Sequence, residues 1–133
     1  WITSGMRQAY LDLHRNGRAH SIEVFDGDAL VGGIYGVAIG RMFFGESMFS
    51  RRPEASKVAL ATLVELLCAA GSQLLDTQYV NEHLKQFGIE AISKRRYMTK
   101  LENALSASPN PSTFFSTVSV RRGLASSSSA TRI

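Results

Sequence analysis

Asp26-Gly27-Asp28 constrains this chain more than any other three residues. Glycine adopts φ > 0 at no steric cost and Asp bonds its own backbone in turns, so the triplet is a strong signal for a tight β-hairpin. His20 to Phe25 alternates as a half-buried strand does, and Leu30 to Ile39 reads as its partner. A tight turn makes the two antiparallel, and Arg41 to Met48 continues as a third strand. Gly32, Gly33 and Gly36 fall inside the second strand. Glycine weakens a strand interior, so three of them point to close approach by a ligand or another backbone, or to a bulge.

Helices are predicted on both sides of these strands. Thr3 or Ser4 can cap a helix running to about Asn16, with Met6, Tyr10, Leu13 and His14 as its apolar stripe and Gly17 as its end. Pro53 and Gly71 bracket a second helix. Its apolar residues Val58, Leu60, Ala61, Leu63, Val64, Leu66 and Leu67 go most of the way round, which predicts a largely buried helix with Cys68 as a small core residue. Gln73 to Gln78 reads as a short strand, and Val80 to Gln86 as a helical turn capped by Asn81. Ser93 caps a last helix to about Ala104. This order gives an α+β fold with helices packed on a mainly antiparallel sheet.

The chain of 133 residues is long enough for one domain with its own core. Its longest apolar run, Val58 to Ala70, is interrupted by Thr62 and Glu65 and falls short of the ~18 residues that a membrane span needs. The single Cys68 excludes an internal disulfide and fits a reducing cytoplasm. The first residue is Trp1 rather than Met, so the chain reads as part of a longer protein. Of the net charge of +4, Arg121, Arg122 and Arg132 account for three. The remaining basic residues clump: Arg51, Arg52 and Lys57 in one group, Lys94, Arg95, Arg96 and Lys100 in another. Each group is either a solvated face or a surface for phosphates. Residues 1–105 form the expected domain, and 106–133, rich in Ser, Pro, Thr and Ala, are expected to be disordered.

Two stretches carry candidate chemistry. In FFGESMFSR, residues 43–51, the carboxylate of Glu46 stands among Phe43, Phe44, Met48 and Phe49, where an unpaired buried charge would be costly. In LLDTQ, residues 74–78, strand alternation puts Asp76 and Gln78 on one face. A carboxylate beside an amide can orient and polarise an attacking amine. It can equally be a polar strand end that caps the next helix. His14, His20 and His83 lack metal-ligand spacing, and Ser47 lacks the second glycine of a nucleophile elbow. No P-loop or G-x-G-x-x-G is present.

HSIEVFDGDALVGGIYGVAIG at 20–40, FFGESMFSR, ASK at 55–57 and LLDTQ together resemble the leucyl/phenylalanyl-tRNA–protein transferase family over roughly residues 1–100. The resemblance implies a GCN5-related N-acyltransferase-like fold and a catalytic domain at 1–105 that lacks the family's smaller N-terminal domain. It implies transfer of leucine or phenylalanine, with methionine a further candidate, from aminoacyl-tRNA to the α-amine of proteins beginning with Arg or Lys. The product carries an N-terminal degradation signal. By the resemblance, Glu46, Asp76 and Gln78 lie at the reaction site. Ile34, Phe43, Met48, Leu60, Leu63, Leu67 and Leu75 line a slot for the transferred side chain. Trp1 stacks on the terminal adenine, and Arg51, Arg52 and Lys57 serve the tRNA. A monomer without metal or organic cofactor is expected.

Two other classes compete with that reading. Acyl-CoA-dependent N-acetyltransferases carry a glycine-rich turn between strand and long helix that cradles pyrophosphate on backbone amides. The corresponding segment here, SRRPEAS at 50–56, has a proline and no glycine. A non-catalytic RNA-binding module would use the basic clumps alone.

Overall fold

The computed structural model describes residues 2–107 and 117–122. The elements run α1 (Ser4–Arg15), β1 (Ala19–Asp26), β2 (Ala29–Ile39), β3 (Met42–Ser50), α2 (Ala55–Ala69), β4 (Leu74–Asp76), α3 (Glu82–Lys85), α4 (Lys94–Ser106) and β5 (Thr117–Arg122). Their strands form a five-stranded sheet in the order β4-β3-β2-β1-β5. Gly27, at φ +60°, makes the turn between the paired residues Asp26 and Ala29, and β1 and β2 pair antiparallel as expected. β2 and β3 are also antiparallel, but both outer pairings are parallel. The sheet is therefore mixed. The crossover through α2 brings β4 back in the same direction as β3, because a helical connection carries the chain the length of the sheet.

Within the stretch from residue 106, Thr117–Arg122 forms β5, which pairs parallel with β1 from Ser21 to Asp26. Val118 and Val120 are partly buried and pack against the core. Ser106 ends α4 and Ala107 follows it as the cap, and 108–116 and 123–133 lie outside the described residues.

α2 covers one face of the sheet. Ala55, Ala59, Leu60, Leu63 and Leu67 are its buried stripe, packed on Ile22, Val24, Val31, Ile34, Ala38 and Phe43. The helix is buried on this side only: Val58 and Cys68 are exposed, which corrects the reading of a helix buried most of the way round and of Cys68 as a core residue. A Cβ on Gly32 would stand 2.6 Å from the Ala55 Cβ, so this glycine admits the helix rather than a ligand. Ile34 and Tyr35 are neighbours on β2 and point to opposite faces. Tyr35 stacks edge-on against Tyr10 of α1 at 5.2 Å, which places α1 on the face opposite α2. The Thr3 hydroxyl caps α1, Asn81 caps α3 and Ser93 caps α4.

His20 on β1 is 3% exposed, and burial, helped by His14, holds its pKa below the ordinary value of 6.5. Below pH 6.5 the unfolded chain then binds more protons at this residue than the native one. The stability it contributes is present above that pH and is lost as the pH falls. The urea midpoint is expected to fall between pH 7 and pH 5, and more steeply in the parent than in a folded His20→Gln variant. Identical pH slopes for the two would remove His20 from this account.

Candidate functional site

The pairing of β2 with β3 slips at one point. Tyr35 faces Ser47 and Gly36 faces Gly45, which leaves Glu46 as the extra residue of a β-bulge. Bulges turn a side chain out of the regular alternation and are frequent beside active sites. The carboxylate that looked isolated in sequence has a neighbour on α1, Tyr10, whose titration it perturbs. Burial, and then Glu46, push the Tyr10 pKa up to about 12. Burial and the charge of Glu46 raise that of Tyr35 as well.

β4 ends at Asp76, so strand alternation does not relate Asp76 to Gln78. Gln78 instead occupies the left-handed region, at φ +64°. One oxygen of Asp76 accepts the Gln78 backbone N–H at 2.7 Å, and the other accepts the Tyr97 hydroxyl at 2.7 Å. Burial first, then Asp76, push the Tyr97 pKa up to about 12. The side-chain amide of Gln78 donates from Nε2 to the Gly45 carbonyl at 3.2 Å. This bond ties the turn after β4 to the bulge on β3. The amide oxygen of Gln78 has no partner among the described residues, so it is available to accept a hydrogen bond from a ligand.

Gln78 borders two cavities. One, of about 230 Å³, is lined by Ile34, Glu46, Met48, Leu60, Thr77 and Gln78 among others. The other, of about 770 Å³, is lined by Leu75, Asp76, Gln78, Glu90, Lys94 and Tyr97 among others. The structure thus gathers Ile34, Met48, Leu60, Glu46 and Gln78 at one cavity and sets Asp76 and Leu75 at its neighbour. Phe43 and Leu63 are sealed in the core at 1% and 0% exposure. Leu67 borders a separate hollow of about 160 Å³ beside Leu75. Trp1 lies outside the described residues.

Arg51, Arg52 and Lys57 gather at the hairpin end of the sheet and the start of α2. Arg52 is ion-paired with Asp26, and Lys57 with Glu54 at 2.7 Å. Arg51 lies 5.8 Å from the Phe49 ring centroid. Arg121 joins them from β5, 4.6 Å over the Phe25 ring and 3.6 Å from Asp28. Sequence reasoning missed the roles of Tyr10 and Tyr97. Tyr10 was visible only as part of an apolar stripe, and nothing local to Tyr97 connects it with Asp76.

A family model described as leucyl/phenylalanyl-tRNA protein transferase matches residues 1–102. A leucyl/phenylalanyl-tRNA–protein transferase of Xylella fastidiosa (strain M23) is 53% identical over 111 residues, covering 84% of this chain and 46% of that protein. One of the same name from Pseudomonas syringae pv. syringae (strain B728a) is 53% identical over 105 residues, covering 79% of this chain and 46% of its own length. The chain therefore spans less than half the length of these relatives.

Proposed function

Because this chain belongs to the leucyl/phenylalanyl-tRNA protein transferase family, we propose that it carries the site at which an amino acid passes from tRNA to the N-terminus of a protein. The observation that carries the proposal is the position of Gln78, in the wall shared by two cavities with its amide held at Gly45. The smaller cavity, with Ile34, Met48 and Leu60, suits a leucine or phenylalanine side chain, and methionine by its unbranched shape. The larger cleft suits the acceptor segment. Its carboxylates, Asp76 and Glu90, favour a first residue of Arg or Lys, although Arg96 already lies 3.2 Å from Glu90.

The reaction is direct aminolysis. The neutral α-amine of the acceptor attacks the ester carbonyl of the aminoacyl-tRNA. A C–N bond forms and the C–O bond to the terminal ribose breaks. The amine loses a proton and the ribose oxygen gains one. The Gln78 amide oxygen accepts one amine N–H and aims the nitrogen lone pair at the ester. Asp76 holds the Gln78 backbone in place. Aligning two reactants in this way is worth at best about 7–11 kcal/mol. Glu46, in the wall of the smaller cavity, offers a carboxylate to a hydroxyl or cation of the donor.

Further parts of this reading concern the whole protein. Arg51, Arg52 and Lys57 face tRNA phosphates, Trp1 stacks on the terminal adenine, and Phe43, Leu63, Leu67 and Leu75 support the pocket from behind. The fold is of the GCN5-related acyltransferase type. The protein works as a cytoplasmic monomer, and its product is a degradation signal. An acyl-CoA donor is disfavoured by the start of α2, where the Ser56 N–H bonds the Ser50 hydroxyl at 3.2 Å and the Ala55 N–H bonds the Arg52 carbonyl at 3.2 Å. A pyrophosphate cradle needs such amides free.

Specificity tests the smaller cavity. A misplaced methyl in an apolar pocket costs roughly 10–200-fold. The intact protein is expected to transfer leucine faster than the β-branched valine by a factor in that range, from matched tRNA preparations. Comparable rates for the two would contradict the assignment of Ile34, Met48 and Leu60.

A further inference from the structure

We infer that Tyr97 is a positioning residue for this reaction, acting through Asp76 on the turn that presents Gln78. The inference rests on the proposed function and adds to it a residue outside the LLDTQ segment. A residue other than glycine keeps a left-handed backbone only where its surroundings over-determine it. Gln78, at φ +64°, is held by its N–H to Asp76 Oδ1 and by its side chain to the Gly45 carbonyl. Asp76 must keep one particular rotamer to reach that N–H, and the Tyr97 hydroxyl bonds its other oxygen at 2.7 Å.

Tyr97 comes from a well-fixed place. The Ser93 hydroxyl caps the first turn of α4 at the Arg96 N–H, 3.3 Å away, and Arg96 is paired with Glu90 at 3.2 Å. At the other end of α4, the Arg41 N–H bonds the Ala104 carbonyl at 2.8 Å, with Ala104 fully buried. The helix is thus tied to the sheet, and its tyrosine transmits that position to the Asp76 carboxylate. Sheet, helix and turn meet at one hydroxyl.

The test uses the intact protein and Tyr97→Phe, which removes one hydroxyl and keeps the ring. A hydrogen bond to a charged group lost in full predicts that kcat for leucyl transfer falls about 10- to 100-fold. The KM for aminoacyl-tRNA is expected to stay the same. Hydrogen exchange at the Gln78 backbone N–H is expected to quicken. In an Asp76→Ala background, Tyr97→Phe is expected to add no further loss, because the two act in series. Unchanged exchange at Gln78 in Tyr97→Phe would overturn the inference. So would an equal loss of kcat in both backgrounds, or a loss confined to KM. The exchange measurement needs no turnover. A parent protein that transfers no leucine would refute the proposed function, and exchange would still decide the role of Tyr97.

Discussion

Gln78→Ala is expected to lower single-turnover leucyl transfer by ~10²–10³-fold, the usual loss when one preorganised donor or acceptor is removed from a transition state. The affinity for aminoacyl-tRNA should barely change. The reason is local: the Gln78 amide is fixed at the Gly45 carbonyl, its oxygen has no partner among the described residues, and it borders both cavities. Asp76→Ala should be about as damaging, since its carboxylate holds the Gln78 backbone N–H. The double variant should be little worse than either single one, as groups that act together are strongly non-additive. Single-turnover rates with folding checked by circular dichroism decide the matter. A folded Gln78→Ala protein working at the parent rate would remove Gln78 from the mechanism.

The second large effect is on stability. A Cβ at Gly36 would collide with the Phe44 carbonyl oxygen and with the ring of Phe43. Neither can yield easily, because the first is backbone at the bulge and the second is a fully buried core ring. Gly36→Ala is therefore expected to destabilise the fold by about 3 kcal/mol, at the upper end of overpacking changes. Relief of the clash requires the bulge to shift, so Glu46 and the Gly45 carbonyl would move with it and transfer should fall as well. Gly5, on α1, meets nothing closer than the Thr3 hydroxyl at 4.0 Å. Gly5→Ala should raise stability by about 0.5 kcal/mol. Urea unfolding of the two variants gives the contrast, and a Gly36→Ala midpoint equal to the parent's would contradict the packing described here.

The hairpin and the helix caps were legible because their signals are local: Asp26-Gly27-Asp28, Thr3, Asn81 and Ser93 each act within a few residues. Features that depend on pairing were not. Glu46 stood out as a carboxylate among Phe and Met, but a bulge exists only between two strands, and its Tyr10 neighbour comes from another element. Asp76 and Gln78 are joined by the turn's own hydrogen bond and not by the strand alternation that suggested the pair. Helical spacing put Leu60, Leu63 and Leu67 on one face, yet it carries no information on which of them borders empty space. The composition of residues 106–133 concealed Val118 and Val120, whose burial depends on a strand far away in sequence. The motif resemblance singled out Glu46, Asp76 and Gln78 without any of this geometry.

The central claim is that Gln78, between two cavities, aims a protein's N-terminal amine at an aminoacyl ester. The most direct measurement supplies the intact protein with leucyl-tRNA and a peptide beginning with Arg, and reads the product by mass spectrometry. The same reaction is run with an N-acetylated peptide and with acetyl-CoA as donor. The account predicts one leucine added to the free N-terminus, none to the blocked peptide, and no acetyl transfer. Acetylation of the peptide without leucyl transfer would contradict it.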